Sequence, residues 1–445
     1  MDDLVERVRE VLPVVRRDLE HLVRIESVWA DPARRSEVQR SADATARLLT
    51  EAGFGDVQIV SEGGAPAVIA RHPAPPGAPT VLLYAHHDVQ PEGDPAQWNS
   101  PPFEPTERDG RLYGRGTADD KAGIATHLAA FRAHGGNPPV GVTVFVEGEE
   151  ESGSPSLSRL LAAHRDALAS DVIVIADSDN WSTEVPSLTV SLRGLADCIV
   201  EVATLDHGLH SGLWGGVVPD ALSVLVRLLA SLHDDDGNVA VAGVHQGTAA
   251  DVDYPLQRVR EEAGLLDGVS PIGTGTVPQR LWAKSAITVI GIDTTPIDKS
   301  SNTLIPRARA KVSMRVAPDG DAAEHMKALT RHLEQHAPWG AHVSVTPGDL
   351  GQPYAIDTSG PVYDAARSAF REGWGVDPVD TGVGGSIPFI AEFAAAFPSA
   401  KILVTGVEDP ATQAHSVNES LHLGVLERAA VSEALLLARL AQHRA

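Results

Sequence analysis

Cysteine is almost absent: Cys198 is the single one in 445 residues, so no disulfide can form within the chain. A lone cysteine suits a reducing compartment, and its position in an alternating strand pattern is typical of a small core residue. The chain also lacks an apolar run approaching the roughly 20 residues of a membrane span. Its N-terminus has no basic segment followed by an apolar one, the mark of a secretory signal. We therefore expect a cytoplasmic protein that does not contact a membrane.

Basic residues are scarce relative to acidic ones. The chain has 36 lysines and arginines against 60 aspartates and glutamates, a formal net charge of −24 at pH 7. Such an excess of negative charge argues against a surface that binds nucleic acid or an anionic membrane. No nucleic-acid partner is therefore expected, and some of the excess acid is available for binding metal ions.

Two common catalytic signatures are missing as well. No Gly-x-Ser-x-Gly sequence occurs, and no catalytic motif surrounds Cys198, which argues against a nucleophilic hydrolase. The glycine-rich fragments 273–275 and 382–384 lack the strand-to-helix context of a dinucleotide site and are typical of turns. The sequence therefore favours neither serine or cysteine catalysis nor a dinucleotide cofactor.

What the chain does have is a globular composition and an α/β rhythm. With 43% hydrophobic residues, it is a packed protein, and 445 residues exceed one ordinary core, so two domains are expected. Apolar runs typical of strands covered on both faces alternate with helical segments; these runs are residues 80–85, 142–146 and 171–176. This order predicts an α/β fold with a mostly parallel sheet and helices on both faces.

The rhythm changes in the middle of the chain. Between residues 187 and 348 the strands alternate apolar and polar positions, as half-exposed antiparallel strands in two-layer α+β packing do. Residues 349–445 return to α/β character. We therefore expect a catalytic, metal-binding domain formed by residues 1–186 and 349–445, with a lid or dimerisation domain inserted at 187–348.

One acidic stretch stands out. The apolar run before Glu147 ends in a cluster that also contains Glu149, Glu150 and Glu151, followed by a glycine-serine turn. Carboxylates crowded at a strand end repel one another unless cations offset their charge. A divalent metal ion would do so, since hard cations accept several oxygen ligands. Taken alone, the stretch is also compatible with a solvated acidic turn.

Metal-capable side chains follow several other predicted strands. Their positions are His86, Asp179 and the 406–415 loop that ends in His415, and Asp119 lies just before a helix. The carboxyl ends of parallel strands meet at one edge of a sheet, where ligands of α/β proteins bind. Two imidazoles and three carboxylates match the needs of two divalent ions that share one bridging carboxylate.

The motifs that carry these residues resemble those of a known family. In order along the chain they are His-His-Asp-Val-Gln-Pro at 86–91, Gly-Arg-Gly-Thr-Ala-Asp-Asp-Lys at 114–121, Glu-Glu-Ser-Gly-Ser at 150–154 and Ala-His-Ser at 414–416. They are similar to those of the co-catalytic metallopeptidases that include carnosinases, cytosolic nonspecific dipeptidases, aminoacylases and succinyl-diaminopimelate desuccinylases. The resemblance covers nearly the whole chain. The sequences at 88–91 and 209–212 are similar to the dipeptidase branch.

The resemblance implies a zinc-peptidase type of catalytic domain with two divalent ions per subunit. His86 and Asp179 would bind one ion and Glu151 and His415 the other. Asp119 would bridge both ions, with a cis peptide bond to Asp120. Histidine and carboxylate ligands accept zinc, manganese or cobalt, so the sequence does not choose among them.

The same resemblance implies a mechanism. A water shared between the two ions would attack the peptide carbonyl of a dipeptide, with Glu150 as the general base. Asp88, two residues after His86 on an extended chain, would orient the His86 ring. His87 stands where the dipeptidase branch often has tyrosine; strand alternation directs it away from the face that carries His86.

Residues of the inserted domain complete the implied site. His210, supplied by the partner subunit of a homodimer, would stabilise the oxyanion, whereas a loop histidine capping a turn is the alternative. Arg315 would bind the substrate carboxylate, because guanidinium binds carboxylates bidentately; otherwise it is a surface strand residue. Thr303 and Ser386 would also contact the substrate; the alternative is that their hydroxyl groups belong to ordinary turns.

Two other functions remain open. An N-acyl-amino-acid deacylase would use the same mechanism on an N-acyl amino acid in place of a small peptide. A non-catalytic metal-binding scaffold could share the fold, but such a protein would have no need of Glu150.

Overall fold

The computed structural model describes residues 2–248, 252–384 and 388–442. The chain forms two compact units. The first comprises Met1–Val190, Ile356–Asp380 and Pro388–Ala445, and the second comprises Ser191–Ala355 and Thr381–Ile387. The expected boundaries, after residues 186 and 348, differ from these by a few residues, and the second unit also takes in Thr381–Ile387.

The first segment of the chain contains five helices and seven strands among its described residues. These are α1 (Asp2–Val23), α2 (Arg35–Ala52), β1 (Asp56–Val60), β2 (Ala67–His72), β3 (Thr80–His86), β4 (Thr106–Arg108), β5 (Arg111–Tyr113), α3 (Lys121–Ala133), β6 (Gly141–Glu147), α4 (Leu157–Ala163), α5 (Arg165–Leu168) and β7 (Val172–Ile175). A short 3-10 turn, Glu150–Ser152, follows β6.

The middle and last segments follow in the same way. The middle one has β8 (Ser187–Leu192), β9 (Gly194–Ala203), β10 (Leu209–His210), α6 (Ser211–Trp214), α7 (Ala221–Ala230), α8 (Leu256–Glu262), β11 (Ala286–Asp293), β12 (Thr303–Leu304), β13 (Arg307–Val316), α9 (Ala322–Gln335), β14 (His342–Gly351) and β15 (Tyr354–Ala355). The last one has α10 (Pro361–Trp374), β16 (Val379–Val383), α11 (Pro388–Ala396), β17 (Lys401–Val404), β18 (Ser420–His422) and α12 (Leu423–Leu440).

The first unit is built on a six-stranded sheet in the order β1-β2-β6-β3-β7-β17. β3 pairs in parallel with β6 and β7, and β17 pairs in parallel with β7, while β1 and β2 form an antiparallel edge. β3, β6 and β7 are buried along almost their whole length, as their apolar runs predict. The mostly parallel sheet is therefore confirmed.

Helices cover both faces of this sheet. Alternate strand residues such as Leu83 and Val144 join the large core with α1, α3 and α12. On the opposite face, Tyr84 stacks on Phe389 of α11 with ring centroids 4.6 Å apart. Burial on both faces stabilises the sheet, since each fully buried large apolar side chain contributes about 1.5–3 kcal/mol.

The second unit has the two-layer α+β packing that the alternating strands predict. Its antiparallel sheet has the order β11-β13-β9-β14, and α7 and α9 pack on one face. Cys198 lies buried in the core between sheet and helices. Among the described helices of the chain, none combines the length and apolarity needed to cross a lipid bilayer.

Candidate metal centre

The carboxyl ends of three neighbouring strands bring the functional side chains together. β3 ends at His86, which pairs with Glu147 at the end of β6, and Tyr84 pairs with Ile175 at the end of β7. Because these strands are parallel and in register, the loops that follow them start at the same edge of the sheet. The acidic turn after β6 therefore lies beside His86.

Asp119 occupies the centre of the cluster. One of its oxygens, Oδ1, lies 3.1 Å from Nε2 of His86, and the other, Oδ2, lies 2.9 Å from Nε2 of His415. The same His415 nitrogen lies 3.2 Å from Oε2 of Glu151. Two ligands bound to one tetrahedral ion at about 2.1 Å are about 3.4 Å apart. The spacing of these donors is therefore close to that of a metal site, with Asp119 able to serve two ions.

Two groups of ligand atoms result. Asp119, Glu151 and His415 form one, and His86, Asp120 and Asp177 form the other, each with ligand atoms within 4.8 Å of one another. Asp120, however, caps α3: its oxygens accept hydrogen bonds from the N–H groups of His86 at 3.2 Å and Gly123 at 3.1 Å. Asp119 and Asp177 are therefore the better carboxylate partners for His86.

The structure places a different aspartate from the predicted Asp179 beside His86. Asp177, two residues earlier, has Oδ2 4.0 Å from Nε2 of His86, whereas Asp179 belongs to neither ligand group and forms a parallel backbone bridge with Glu408. The chain bends after β7 to run beside Gly406, where an added Cβ would lie 1.8 Å from the Ser178 carbonyl oxygen. Position 406 must therefore be glycine. Because the chain runs beside it here, Asp179 lies next to the loop that contains Glu408.

The His86 ring is oriented by the segment that follows it. Its Nδ1 donates a hydrogen bond to the backbone carbonyl of Asp88 at 3.0 Å, which leaves Nε2 as the ring nitrogen that faces Asp119. The Asp88 carboxylate instead accepts hydrogen bonds from the N–H groups of Glu150 and Glu151, both at 3.2 Å. Asp88 thus joins the His86 loop to the acidic turn as well as orienting the ring.

Two of the four glutamates hold the fold. Buried Glu149 accepts hydrogen bonds from the N–H groups of Ala65 at 3.0 Å and Ser156 at 2.7 Å. Glu147 accepts one from the hydroxyl of Tyr84 at 2.8 Å, and burial raises the pKa of Glu147 to about 8. Neither carboxylate belongs to the two ligand groups.

The other two glutamates are aimed at the centre. Gln90 donates to the Glu151 carboxylate through its N–H at 3.0 Å and its Nε2 at 2.8 Å, which orients Glu151 towards His415. Glu150 lies with Oε2 4.0 Å from Nε2 of His86. Within the described ranges its carboxylate accepts no hydrogen bond, so it is available to a reacting group.

The electrostatics show a surplus of negative charge. Burial raises the pKa of Glu150 to about 9 and that of Asp177 to about 7. Hydrogen bonds with Asp119 and Glu151 raise the pKa of His415 to about 10. Burial acts to raise the pKa of Asp119, but the hydrogen bonds from His415 and His86 outweigh it and hold that pKa below its ordinary value. Cations at this position would relieve the repulsion.

His415 has an unusual backbone conformation. Its φ of 61° lies in the left-handed region, which costs a non-glycine residue about 1–3 kcal/mol. Such conformations cluster at functional sites because the surrounding structure must hold them. The peptide bond between Asp119 and Asp120 is cis, as the family resemblance implies.

Sequence reasoning missed Glu419, which holds the loop that carries Asp119. Its carboxylate is fully buried and accepts four hydrogen bonds at 2.7–3.2 Å, from the guanidinium of Arg115 and the backbone N–H groups of Gly116, Ala118 and Asp119. Glu419 is a single loop glutamate three residues after Ser416, and nothing in the sequence around it indicates that it binds the loop of Asp119.

The other predicted residues that the structure describes belong to neither ligand group. His87 faces away, as strand alternation predicts, and donates from Nε2 to the Pro66 carbonyl at 2.8 Å. In the second unit, His210 on β10 pairs directly with Thr303 on β12, and both are exposed. Arg315 lies on β13, and Ser386 lies outside the described residues.

Comparisons with known proteins identify the family of the chain. The model of a family described as peptidase family M20/M25/M40 matches residues 82–439. A cysteinylglycine-S-conjugate dipeptidase of Corynebacterium striatum is 35% identical over 428 residues, 95% of this chain and 94% of the relative. A beta-Ala-His dipeptidase of Homo sapiens is 30% identical over 433 residues, 89% and 84% of the two chains. The crystal structure of human carnosine dipeptidase 1 is similar with a TM-score of 0.79 at 26% identity, over 99% of this chain and 98% of that one.

Proposed function

Because the chain belongs to peptidase family M20/M25/M40, we propose that it is a metal-dependent dipeptidase, which hydrolyses the peptide bond of small peptides. The observation that carries the proposal is the Asp119 carboxylate, with one oxygen on each of two imidazoles and further carboxylates beside them. The dipeptidases among the relatives, at up to 35% identity over nearly the full chain, support a dipeptide as substrate.

The donor set fits two divalent cations. Asp119 would be shared, with His86 and Asp177 on one side and Glu151 and His415 on the other. Imidazole and carboxylate donors suit zinc, manganese and cobalt alike. Bound ions would polarise the peptide carbonyl and lower the pKa of a water molecule.

Glu150 is the proposed general base. Its carboxylate would take a proton from the attacking water and pass it to the nitrogen of the leaving amino acid, so that the same group serves both steps. Burial raises the pKa of Glu150 to about 9. Positive charge close to a carboxyl favours its ionised form, as a base requires.

His210 is suited to stabilising the oxyanion. Its Nδ1 accepts a hydrogen bond from the N–H of Gly212 at 3.1 Å, so the neutral ring carries its proton on Nε2. An exposed Nε2–H is a donor for the negative oxygen that develops during hydrolysis. Following the family resemblance, we propose that the partner subunit of a homodimer supplies it.

The edge of the second unit's sheet supports a homodimer. β11 lies at that edge, and Val289, Ile290 and Ile292 on it are 38–57% exposed. An exposed edge strand with apolar side chains is prone to pair with another chain. A second copy of this protein is the partner that we propose.

Hydrolysis assays test the proposed function. Purified protein supplied with zinc, manganese or cobalt is expected to hydrolyse unblocked dipeptides faster than N-acetyl or N-succinyl amino acids. Removal of the ions by a chelator is expected to abolish hydrolysis, and adding them back is expected to restore it. The reason is that ions held by His86 and Asp119 would polarise the carbonyl and lower the pKa of the attacking water. Faster turnover of N-acylated substrates would identify a deacylase, and metal binding without hydrolysis of either class would favour a scaffold.

Mixing variants tests the contribution of the partner subunit. His210→Ala and Glu150→Gln homodimers are each expected to be nearly inactive. Half of the dimers formed after random exchange would be mixed, and each would contain one site with both residues intact. About a quarter of wild-type activity should therefore return.

A matched mixture provides the control. Glu150 and His415 belong to the same cluster, so mixing Glu150→Gln with His415→Ala should recover no activity. Absence of recovery with the His210 mixture, despite demonstrated subunit exchange, would contradict the partner-subunit assignment.

A further inference from the structure

Arg193, in the link between β8 and β9, is a buried cation that pairs with no carboxylate among the described residues. Its exposed fraction is 9%, and Nε is buried without a hydrogen-bond partner. Its NH1 donates to the carbonyl of Lys284 at 3.3 Å. Within the described residues no aspartate or glutamate forms an ion pair with it. A buried charge in this state is costly unless an anion compensates it.

The strand register brings Arg193 close to a second arginine. β9 and β13 pair antiparallel with Leu195 opposite Arg315. Arg193 lies two residues before Leu195, so its side chain emerges on the same face as Arg315, in the diagonal position across the strands. Diagonal neighbours are about 7–8 Å apart, within reach of two arginine side chains. Burial, together with the charge of Arg315, lowers the pKa of Arg193 to about 10.

Other cations on this face of the sheet have carboxylate partners. Lys311 pairs with Asp197 at 3.1 Å, and Arg307 pairs with Glu201 at 2.8 Å. Arg315, like Arg193, has no such partner among the described residues. In a chain with a net charge of −24, neither of these arginines pairs with a described acid, which leaves both able to bind an anion from outside the chain.

A glycine leaves room for the Arg193 guanidinium. An added Cβ at Gly384 would lie 2.6 Å from NH2 of Arg193, so any larger residue would displace it. The backbone N–H of Arg193 donates to the Val383 carbonyl at 3.1 Å, which fixes the start of the side chain. Arg193 is therefore held where it is by its neighbours in the second unit.

The family resemblance assigns Arg315 to the substrate carboxylate. We propose that Arg193 supplies a second guanidinium to that carboxylate, and that Arg193 is a specificity-determining residue for substrates with a free C-terminal carboxylate. A carboxylate has about four lone-pair positions, enough for two guanidinium forks. The identification of the anion as a dipeptide carboxylate rests on the proposed function. Two guanidiniums would favour an ionised carboxylate over a neutral amide far more than one does.

Kinetics on a dipeptide and its C-terminal amide test this role. Arg193→Met, which keeps the aliphatic stem, is expected to raise KM for the dipeptide about 10- to 100-fold, with kcat little changed and KM for the amide unaffected. Arg193→Lys keeps the charge but loses the planar fork, so its KM should be intermediate. Arg309→Met, on the same face but paired with Asp293, is the matched control and should change neither KM.

Binding measurements separate this inference from the proposed function. Calorimetric titration of the metal-loaded Glu150→Gln protein with the dipeptide and its amide reports the preference for carboxylate without turnover. Loss of that preference on adding Arg193→Met is the expected result. If Arg193→Met weakens binding of the dipeptide and of its amide equally, the role of Arg193 is merely structural. If Arg193→Met leaves the preference for the dipeptide unchanged, the inference is wrong, even where the protein hydrolyses dipeptides. If the wild-type protein hydrolyses no dipeptide, the proposed function fails; the Arg193 site then stands only if the titration still shows the preference.

Discussion

Replacing Glu150 with glutamine is expected to reduce dipeptide hydrolysis about 100- to 10,000-fold, the usual contribution of a positioned base. Glutamine has nearly the same shape but cannot take a proton from water. The metal content should remain near that of the wild type, because the proposed ligands are other residues. Thermal stability should not fall either, since glutamine fills the same space and no described residue donates a hydrogen bond to the Glu150 carboxylate. Turnover numbers, metal analysis and thermal unfolding check the three expectations.

Glu149→Gln is the matched control from the same acidic run. The Glu149 carboxylate accepts two backbone hydrogen bonds, and an amide in its place would turn an NH2 group towards one of the donors. An unsatisfied buried donor costs about 1–3 kcal/mol, so this variant should lose free energy of unfolding but keep its activity at temperatures where it is folded. Normal turnover by Glu150→Gln would show that Glu150 is not the general base.

Replacing Glu419 with glutamine is expected to lower the free energy of unfolding by about 3–5 kcal/mol, because it leaves the buried Arg115 charge unpaired. The same change loosens the three backbone N–H groups that Glu419 holds, one of which belongs to Asp119. Residues that support metal ligands typically contribute about 10- to 100-fold in affinity, so metal binding should weaken by a similar factor. Denaturant unfolding and competition with a metal chelator measure the two effects.

Glu433→Gln separates the two consequences. Glu433 is also buried and lies 2.9 Å from Nδ1 of His127, but it contacts none of the proposed metal ligands. Glu433→Gln should therefore lower the free energy of unfolding and leave the metal affinity unchanged. Equal losses of metal affinity in both variants would mean that Glu419 acts only through general stability.

The sheet and most of the cluster could be predicted from sequence because their signals are local. Apolar runs over the stretches that become β3, β6 and β7 indicate strands buried on both faces, and parallel strands bring their carboxyl ends together. His86 and Glu151 follow directly from that rule. Asp119 and His415 needed the family motifs as well, because they lie in loops whose course no periodicity predicts.

What could not be predicted depends on contacts between distant residues. Asp177 and Asp179 both follow β7, and the choice between them depends on how closely the chain passes Gly406, more than 200 positions away. Glu419 acts on backbone atoms about 300 positions earlier, and hydrogen bonds to backbone leave no motif. Arg193 became visible only through the register of β9 with β13.

The proposed metal ligands all belong to the first unit, whereas Arg193, Arg315, Thr303 and His210 all belong to the second. Under the proposed function, ion binding and substrate choice would be encoded in separate stretches of the gene. If these proposals hold, a mutation between codons 191 and 355 would alter which peptides are accepted without disturbing the cation ligands. Such a division would let one inorganic centre be retained while relatives diverge towards different small molecules.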